Sequence, residues 1–370
     1  MISKKKIVIG FGTRPELIKL FPLIIKLKKN FNLYIINTGQ HEDLLFDILR
    51  FFKIKIFKNL NVMKKNQKIE DTMSSIIHKT SPILRKLKPS LVIVHGDTTS
   101  SLSISLAASY CQIKIAHIEA GLRTHTKTEP FPEEINRKTI GSLSDFHFAP
   151  TDISKKNLLM EGIKKNIFVT GNTIVDAVNL ITSISNQKTI NDFFKSTLKS
   201  HYKNNSGIIL ITCHRRENFE SNINIISSTI TKLAKIHHDK IFIFPVHPNP
   251  NIKKVVLKKI PKLPNIFLIK PIRYDRFLFL FNKSKLIISD SGGIQEECYC
   301  FKKPMILLRN YTERPEAISG NLVNLSKINQ KNIIILFNKL INKKFKNTIK
   351  NPYGIGNSSS KIDNILQKII

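Results

Sequence analysis

Leu91-Val92-Ile93-Val94 runs without a break into His95-Gly96-Asp97-Thr98-Thr99, and residues 113–118 run into Glu119-Ala120-Gly121. Between the two, residues 99–110 read as a helix. A β-rich run, a helical run and a second β-rich run form one βαβ unit, and such units build a doubly wound parallel sheet. The pattern extends both ways. Upstream, residues 7–9 and 33–36 read as strands, with Pro15 placed to open a helix where its missing N–H costs nothing. Downstream, residues 146–148 and 167–170 continue the series, with a helical run over 153–161.

From about residue 180 to 206 the pattern weakens into an Asn/Ser/Lys-rich segment without Gly or Pro. A second α/β series follows, with strands expected over 208–211, 241–246, 266–269, 286–288 and 305–308. The expected organisation is an N-terminal Rossmann-like domain over 1–180, a junction over 181–206 with room for some helix, and a second Rossmann-like domain over 207–350. The two domains are expected to face each other across a cleft, and the helical tail over 353–370 to return to the first. At 370 residues the chain suits two domains.

Composition narrows the function classes. The chain is 41% hydrophobic, and no run of 18 or more apolar residues marks a membrane span. Met1-Ile2-Ser3-Lys4-Lys5-Lys6 leads into too short an apolar run for a signal peptide, and the four cysteines lack zinc-ribbon spacing, so a reduced, cytoplasmic protein is expected. The formal net charge of +34 raises nucleic-acid or anionic-membrane binding, but only 11 of the 60 basic residues are arginine and the lysines are spread along the whole chain. No basic stripe with interleaved aromatics stands out, which favours solvated lysine faces and neither partner. No H-x₃-H or H-E-x-x-H spacing points to a metal.

Against 26 acidic residues, the cluster over 95–141 is distinctive: Asp97, Glu119, and Glu133 or Glu134 in Pro132-Glu133-Glu134, each at a strand end or a helix start. With Arg123 and Arg137 beside them they form a candidate acid/base centre; the alternative is that each caps a helix or pairs with an arginine. Gly10-Phe11-Gly12-Thr13-Arg14-Pro15 follows the first strand, but Pro15 replaces the third glycine of a dinucleotide loop and the second strand ends at Asn37 without an acid. A bound NAD is therefore not expected; a turn delivering N–H groups, Arg14 and Lys19 is. Ser289-Asp290-Ser291-Gly292-Gly293 is the stronger phosphate signal, with Ser291, Gly292 and Gly293 at a helix N-terminus and Glu297 a turn further on. Arg314 follows nearby. His214, Arg215 and Arg216 end the first strand of the second half, where His214 suits acid/base work or an inter-domain salt bridge; His247 suits ligand contact or capping equally.

Taken in order, Gly12-Thr13-Arg14-Pro15-Glu16, Gly39-Gln40-His41, His95-Gly96-Asp97-Thr98-Thr99, residues 117–124, Pro132-Glu133-Glu134 with Asn136-Arg137, Gly171-Asn172-Thr173, His214-Arg215-Arg216-Glu217, residues 290–297 and residues 312–317 resemble the non-hydrolysing UDP-N-acetylglucosamine 2-epimerases over nearly the whole chain. The resemblance implies a glycosyltransferase-B-like fold, a homodimer, no redox cofactor, and interconversion of UDP-GlcNAc and UDP-ManNAc for surface polysaccharide synthesis. It implies Asp97, Glu119, Glu133 and His214 at the chemistry, Arg14 and Lys19 on the phosphate side, and Phe277 at the uracil. It also implies Ser291, Gly292 and Gly293 at the diphosphate, Glu297 at the ribose and Arg314 at the phosphates. A regulatory site in some members implies Gln40, Arg215 and His247, and cooperative kinetics. Two positions depart from the family pattern: Ile272 stands where a polar residue is common, and Ile355 replaces the acid of the tail motif.

Overall fold

The computed structural model describes residues 4–39, 46–64, 67–198, 207–213, 222–247, 249–343, 345 and 348–370. The chain divides into two compact units, Met1–Leu180 with Tyr353–Ile370, and Ile181–Pro352.

In the first unit the chain runs β1 (Lys6–Phe11), α1 (Arg14–Leu27), β2 (Asn32–Asn37), α2 (Phe46–Phe51), β3 (Lys58–Asn59), α3 (Ile69–Leu87), β4 (Leu91–His95) and α4 (Thr99–Tyr110). It continues through β5 (Ile115–Ile118), α5 (Glu133–Leu143), β6 (Phe146–Ala149), α6 (Asp152–Met160), β7 (Ile167–Val169) and α7 (Thr173–Ile184), which crosses into the second unit. The strands pair in parallel in the order β3-β2-β1-β4-β5-β6-β7. Strands covered on both faces read as unbroken apolar runs, and in β1 and β4 Ile7, Val8, Ile9 and residues 91–94 are fully buried. Helix α4 is buried nearly all round because its residues are small. Ser103 and Ser105 satisfy their hydroxyls on the carbonyls of Thr99 and Ser101, at 2.7 and 2.8 Å. A Cβ on Gly10 would stand 2.4 Å from Ile104 Cδ1, so the glycine lets this helix lie close on β1. Strand order reverses between β1 and β4, and ligands of open α/β sheets bind at the strands' carboxyl ends at such a switch point.

The second unit holds α8 (Gln187–Leu198), β8 (Ile208–Thr212), α9 (Asn222–Ile236), β9 (Ile241–Pro245), α10 (Pro250–Lys259), β10 (Ile266–Ile269), α11 (Tyr274–Lys283) and β11 (Ser284–Ser289). It ends with α12 (Gly292–Phe301), β12 (Met305–Leu308), α13 (Pro315–Ser319), β13 (Val323–Ser326) and α14 (Gln330–Ile341). Its parallel sheet has the order β10-β9-β8-β11-β12-β13, with the switch between β8 and β11. Ile209, Ile211, Phe242, Phe244, Ile288 and Ile306 pack one core with Ile226 and Ile230 of α9 and Phe337 of α14.

The chain then returns to the first unit as α15 (Ser358–Ile369), packed on α1. Asp176 of α7 accepts the N–H groups of Ser358 and Ser359 at 3.1 and 2.8 Å, capping α15, and Ile362 and Leu366 are fully buried. Burying each such side chain contributes roughly 1.5–3 kcal/mol.

The stretch 181–206, read as a junction, is different. As far as Leu198 it belongs to the second unit: Ile190, Phe194 and Leu198 line the buried face of α8, and Phe194 stacks on Phe279 of α11 at 5.8 Å. Strands β3 and β13 were not expected from the sequence; both are short and carry polar residues.

Candidate active site

The loop after β1 is shaped by Gly12 and Glu16. A Cβ on Gly12 would fall 2.0 Å from Ser100 Oγ, so only glycine fits where the loop meets α4. The Glu16 carboxylate lies inside this turn. It accepts from Thr13 N–H and Oγ1 at 2.8 and 2.7 Å, from Gly12 N–H at 3.1 Å, and from Thr98 Oγ1 and Ser101 Oγ at 2.8 and 2.9 Å. Burial pushes its carboxyl above the usual range, against the opposing pull of these donors. The network ties the loop that starts α1 at Arg14 to the loop that carries Asp97.

Glu119 follows β5 with φ 65°, a left-handed backbone uncommon outside glycine. Its side chain is buried and forms an ion pair with the buried Lys19 of α1. Asn172, after β7, donates from Nδ2 to the same oxygen, Oε1, at 2.8 Å. The other oxygen, Oε2, lies 3.8 Å from His95 Nε2. A Cβ on Gly96 would stand 3.4 Å from it. Lys19, expected on the phosphate side, pairs with this carboxylate.

Asp97 follows β4, and its carboxylate takes a 2.5 Å hydrogen bond from Arg137 of α5. Arg137 also donates to the buried Glu134 at 3.0 Å, and Asn136 donates to the Asp97 carbonyl at 2.8 Å. Burial would raise Glu134, but the Thr124 N–H, Arg137 and the His125 N–H outweigh it and hold the carboxyl below its usual range. Glu133, half-buried, stands beside it as the first residue of α5. Glu134 is therefore the structural half of the Glu-Glu pair. Arg123 does not join this centre: its guanidinium grips Glu161 through Nε and Nη2 at 2.7 and 2.5 Å.

His117 of β5 and His147 of β6 are register partners and both buried. A carbonyl can only accept, so His117 Nε2 carries the proton it gives to Gly96 O at 2.7 Å. Burial pushes His117 down to about 3 and His147 down to about 4, so both rings are neutral at ordinary pH.

In the second unit Ser291 precedes α12, and Gly292 and Gly293 open it at the switch between β8 and β11. A Cβ on Gly293 would meet no described atom within 4 Å, so packing does not require glycine there. Ser289 braces the turn, accepting from Ser291 N–H at 3.0 Å and sharing a 2.6 Å bond with Thr212 Oγ1. Cys213 donates to the fully buried Asp290 at 3.2 Å, and burial with Asp290 pushes its thiol up, leaving it protonated. Glu297 takes a short hydrogen bond from Tyr274 OH, and Tyr274 stacks on the half-buried Phe277 at 6.3 Å. Phe277 and Glu297 are therefore brought together. Arg314 donates from Nε to Glu296 at 2.6 Å and from Nη1 to Glu313. His247 accepts the Asn249 N–H at 3.2 Å, a local loop contact. Ile272 is half-buried, and Ile355 is 81% exposed.

His214, Arg215 and Gln40 lie outside the described residues. Among the described residues no group of three His, Cys, Asp or Glu is placed to hold a metal ion, and no helix is long and apolar enough to cross a membrane. Sequence reading assigned no role to Glu16, Asn172, Tyr274 or Glu296. Asn172 had a signal, its place directly after a strand in Gly171-Asn172-Thr173, and so did Glu16, as the acid of a Thr13-x-x-Glu16 capping box; Tyr274 and Glu296 act through contacts distant in sequence.

Two Rossmann-like units, one with paired carboxylates at its switch point and the other with a glycine-opened helix at its own, define a two-domain α/β protein of the glycosyltransferase-B-like class. The sequence model of a family described as UDP-N-acetylglucosamine 2-epimerase matches residues 24–367. A UDP-N-acetylglucosamine 2-epimerase of Campylobacter jejuni is 44% identical over 374 aligned positions, covering 98% of each chain. The crystal structure of the Neisseria meningitidis UDP-GlcNAc 2-epimerase bound to UDP-GlcNAc is similar with TM-score 0.90 and 40% identity, covering 98% of this chain and 100% of that one. The Methanocaldococcus jannaschii enzyme in complex with UDP-GlcNAc and UDP is similar with TM-score 0.88 and 36% identity, covering 98% of this chain and 99% of that one. The chain belongs to the UDP-N-acetylglucosamine 2-epimerase family.

Proposed function

We propose that the protein is an isomerase that inverts C2 of UDP-GlcNAc, giving UDP-ManNAc reversibly by anti-elimination and re-addition of UDP. The C2 hydrogen of a hexose is barely acidic, and no neighbouring carbonyl stabilises a carbanion. Its removal is therefore coupled to departure of a leaving group. A carboxylate takes the C2 proton, the C1–O bond to UDP breaks with its electron pair, and a C1–C2 double bond forms. The intermediates are a 2-acetamidoglucal and UDP, held away from water. A proton is then returned to C2 from the opposite face, and a UDP oxygen re-forms its bond to C1. Inversion needs proton-handling groups on two faces, which is the role of Asp97, Glu119, Glu133 and His214.

The observation that carries this reading is the fixed Glu119, held by Lys19 and Asn172 next to the Arg137-bound Asp97. A carboxylate aimed in advance is what general base catalysis requires. The departing diphosphate is met by Arg14, Ser291, the N–H groups of Gly292 and Gly293, and Arg314, in the manner of electrostatic transition-state stabilisation. Phe277 packs on the uracil and Glu297 takes the ribose hydroxyls. By its resemblance to the family, the protein works as a homodimer and supplies UDP-ManNAc to surface polysaccharide synthesis.

Incubation with UDP-GlcNAc followed by proton and phosphorus NMR separates the rivals. A mixture of UDP-GlcNAc and UDP-ManNAc, approached from either side, is the expected result. Free ManNAc with UDP would mark a hydrolysing epimerase, and sugar transfer only in the presence of an acceptor would mark a glycosyltransferase.

A further inference from the structure

Asn172 works in three directions. Its Nδ2 donates to Glu119 Oε1 at 2.8 Å, and its Oδ1 accepts the Ile174 N–H at 3.0 Å in the first turn of α7. Its backbone N–H donates to the carbonyl of Tyr353 at 2.9 Å, where the chain comes back from the second unit. The returning backbone lies hard against this point. Gly171 has φ 86°, and a Cβ there would stand 2.8 Å from Tyr353 O and 2.7 Å from Ser358 Oγ. The same helix α7 holds the tail further on, with Asp176 accepting from Ser358 and Ser359 and Asn179 donating to the Ile355 carbonyl at 3.3 Å. The tail is thus anchored through the backbone of Tyr353, Ile355, Ser358 and Ser359.

We infer that Asn172 is a positioning residue for Glu119, and that Tyr353–Ile370 is the brace that fixes Asn172 in place. This rests on the reading of Glu119 as an acid/base group. Lys19 and Asn172 both meet Glu119 at Oε1. Removing the Asn172 donor leaves the carboxylate less well aimed.

Two variants separate positioning from a purely structural cap. Asn172→Asp keeps an oxygen for the Ile174 N–H but sets a second carboxylate against Glu119, whereas Asn172→Ala loses both contacts. Positioning predicts that Asn172→Ala lowers kcat on the order of 10- to 100-fold with KM little changed. Asn172→Asp falls further in kcat although its melting temperature stays nearer the wild type. The inference is overturned if Asn172→Asp retains more activity than Asn172→Ala, or if either folded variant keeps wild-type kcat. A wild-type protein that fails to turn over UDP-GlcNAc would overturn the epimerase reading itself, a failure visible before any variant is compared.

Discussion

Arg123 and Arg137 carry the same charge in the same stretch and do different work. Arg123 spends its guanidinium on Glu161 and the Leu122 carbonyl, while Arg137 bridges Asp97 and Glu134. Arg123→Ala is expected to cost about 2–3 kcal/mol in urea unfolding, below the usual figure for a fully buried pair because Glu161 reaches solvent. Activity of the folded Arg123→Ala fraction should stay near wild type. Arg137→Lys keeps the charge but loses the planar fork that spans two carboxylates; kcat should fall on the order of 10–100-fold. At this scale the sequence made the carboxylates legible, since each stands at a strand end or helix start, but not which arginine serves them. Spacing places residues on elements; it does not aim their side chains. The buried histidines give a pH test. His117 and His147 have folded values near 3 and 4, below the ordinary 6.5. The unfolded chain therefore binds more protons in acid, and stability is full above about pH 6.5 and lost as pH falls toward 4. The slope is about 1.4 kcal/mol per pH unit for each histidine. Urea midpoints at pH 7 and pH 5 measure it, and His117→Asn should remove about half of that slope. Equal slopes in the two proteins would contradict the assignment.

Among the elements, α12 offers the sharpest distinction between packing and ligand binding. Gly293 is in the first turn of α12, and a Cβ there meets no described atom, so Gly293→Ala should leave the melting temperature unchanged or raise it, alanine favouring a helix by up to ~1 kcal/mol. If the N–H groups of this turn meet the diphosphate, the same change should weaken UDP binding about tenfold or more by calorimetry. Unchanged affinity would remove Gly293 from the site. The strands with continuous apolar runs were readable almost to the residue, with β10 and β12 matching at both ends, and α4 spans Thr99–Tyr110 as expected. Those that escaped had no such run. Strand β3 is two exposed residues held by backbone pairing to β2, and β13 alternates Val323 and Leu325 with polar neighbours. Helix α8 hid three anchors, Ile190, Phe194 and Leu198, inside a polar segment.

At the scale of the whole molecule, the same device appears twice: a parallel sheet that reverses its order beside its first strand, with candidate residues at the reversal. In the first unit these are Arg14, Asp97 and Glu119, and in the second Ser291, Gly292 and Gly293. Two series of alternating strands and helices made that plan legible from the sequence, because apolar runs must be covered on both faces. What spacing did not convey is the joinery, in which Asn172 meets a tail that returns from the end of the chain to sit on α1 and α7. The central claim is that C2 is inverted by removal and return of a proton while UDP leaves and re-adds. Incubation with UDP-GlcNAc in deuterated water tests it most directly. The account predicts deuterium at C2 of both UDP-GlcNAc and UDP-ManNAc recovered from the reaction. Conversion to UDP-ManNAc with protium retained at C2 would contradict it.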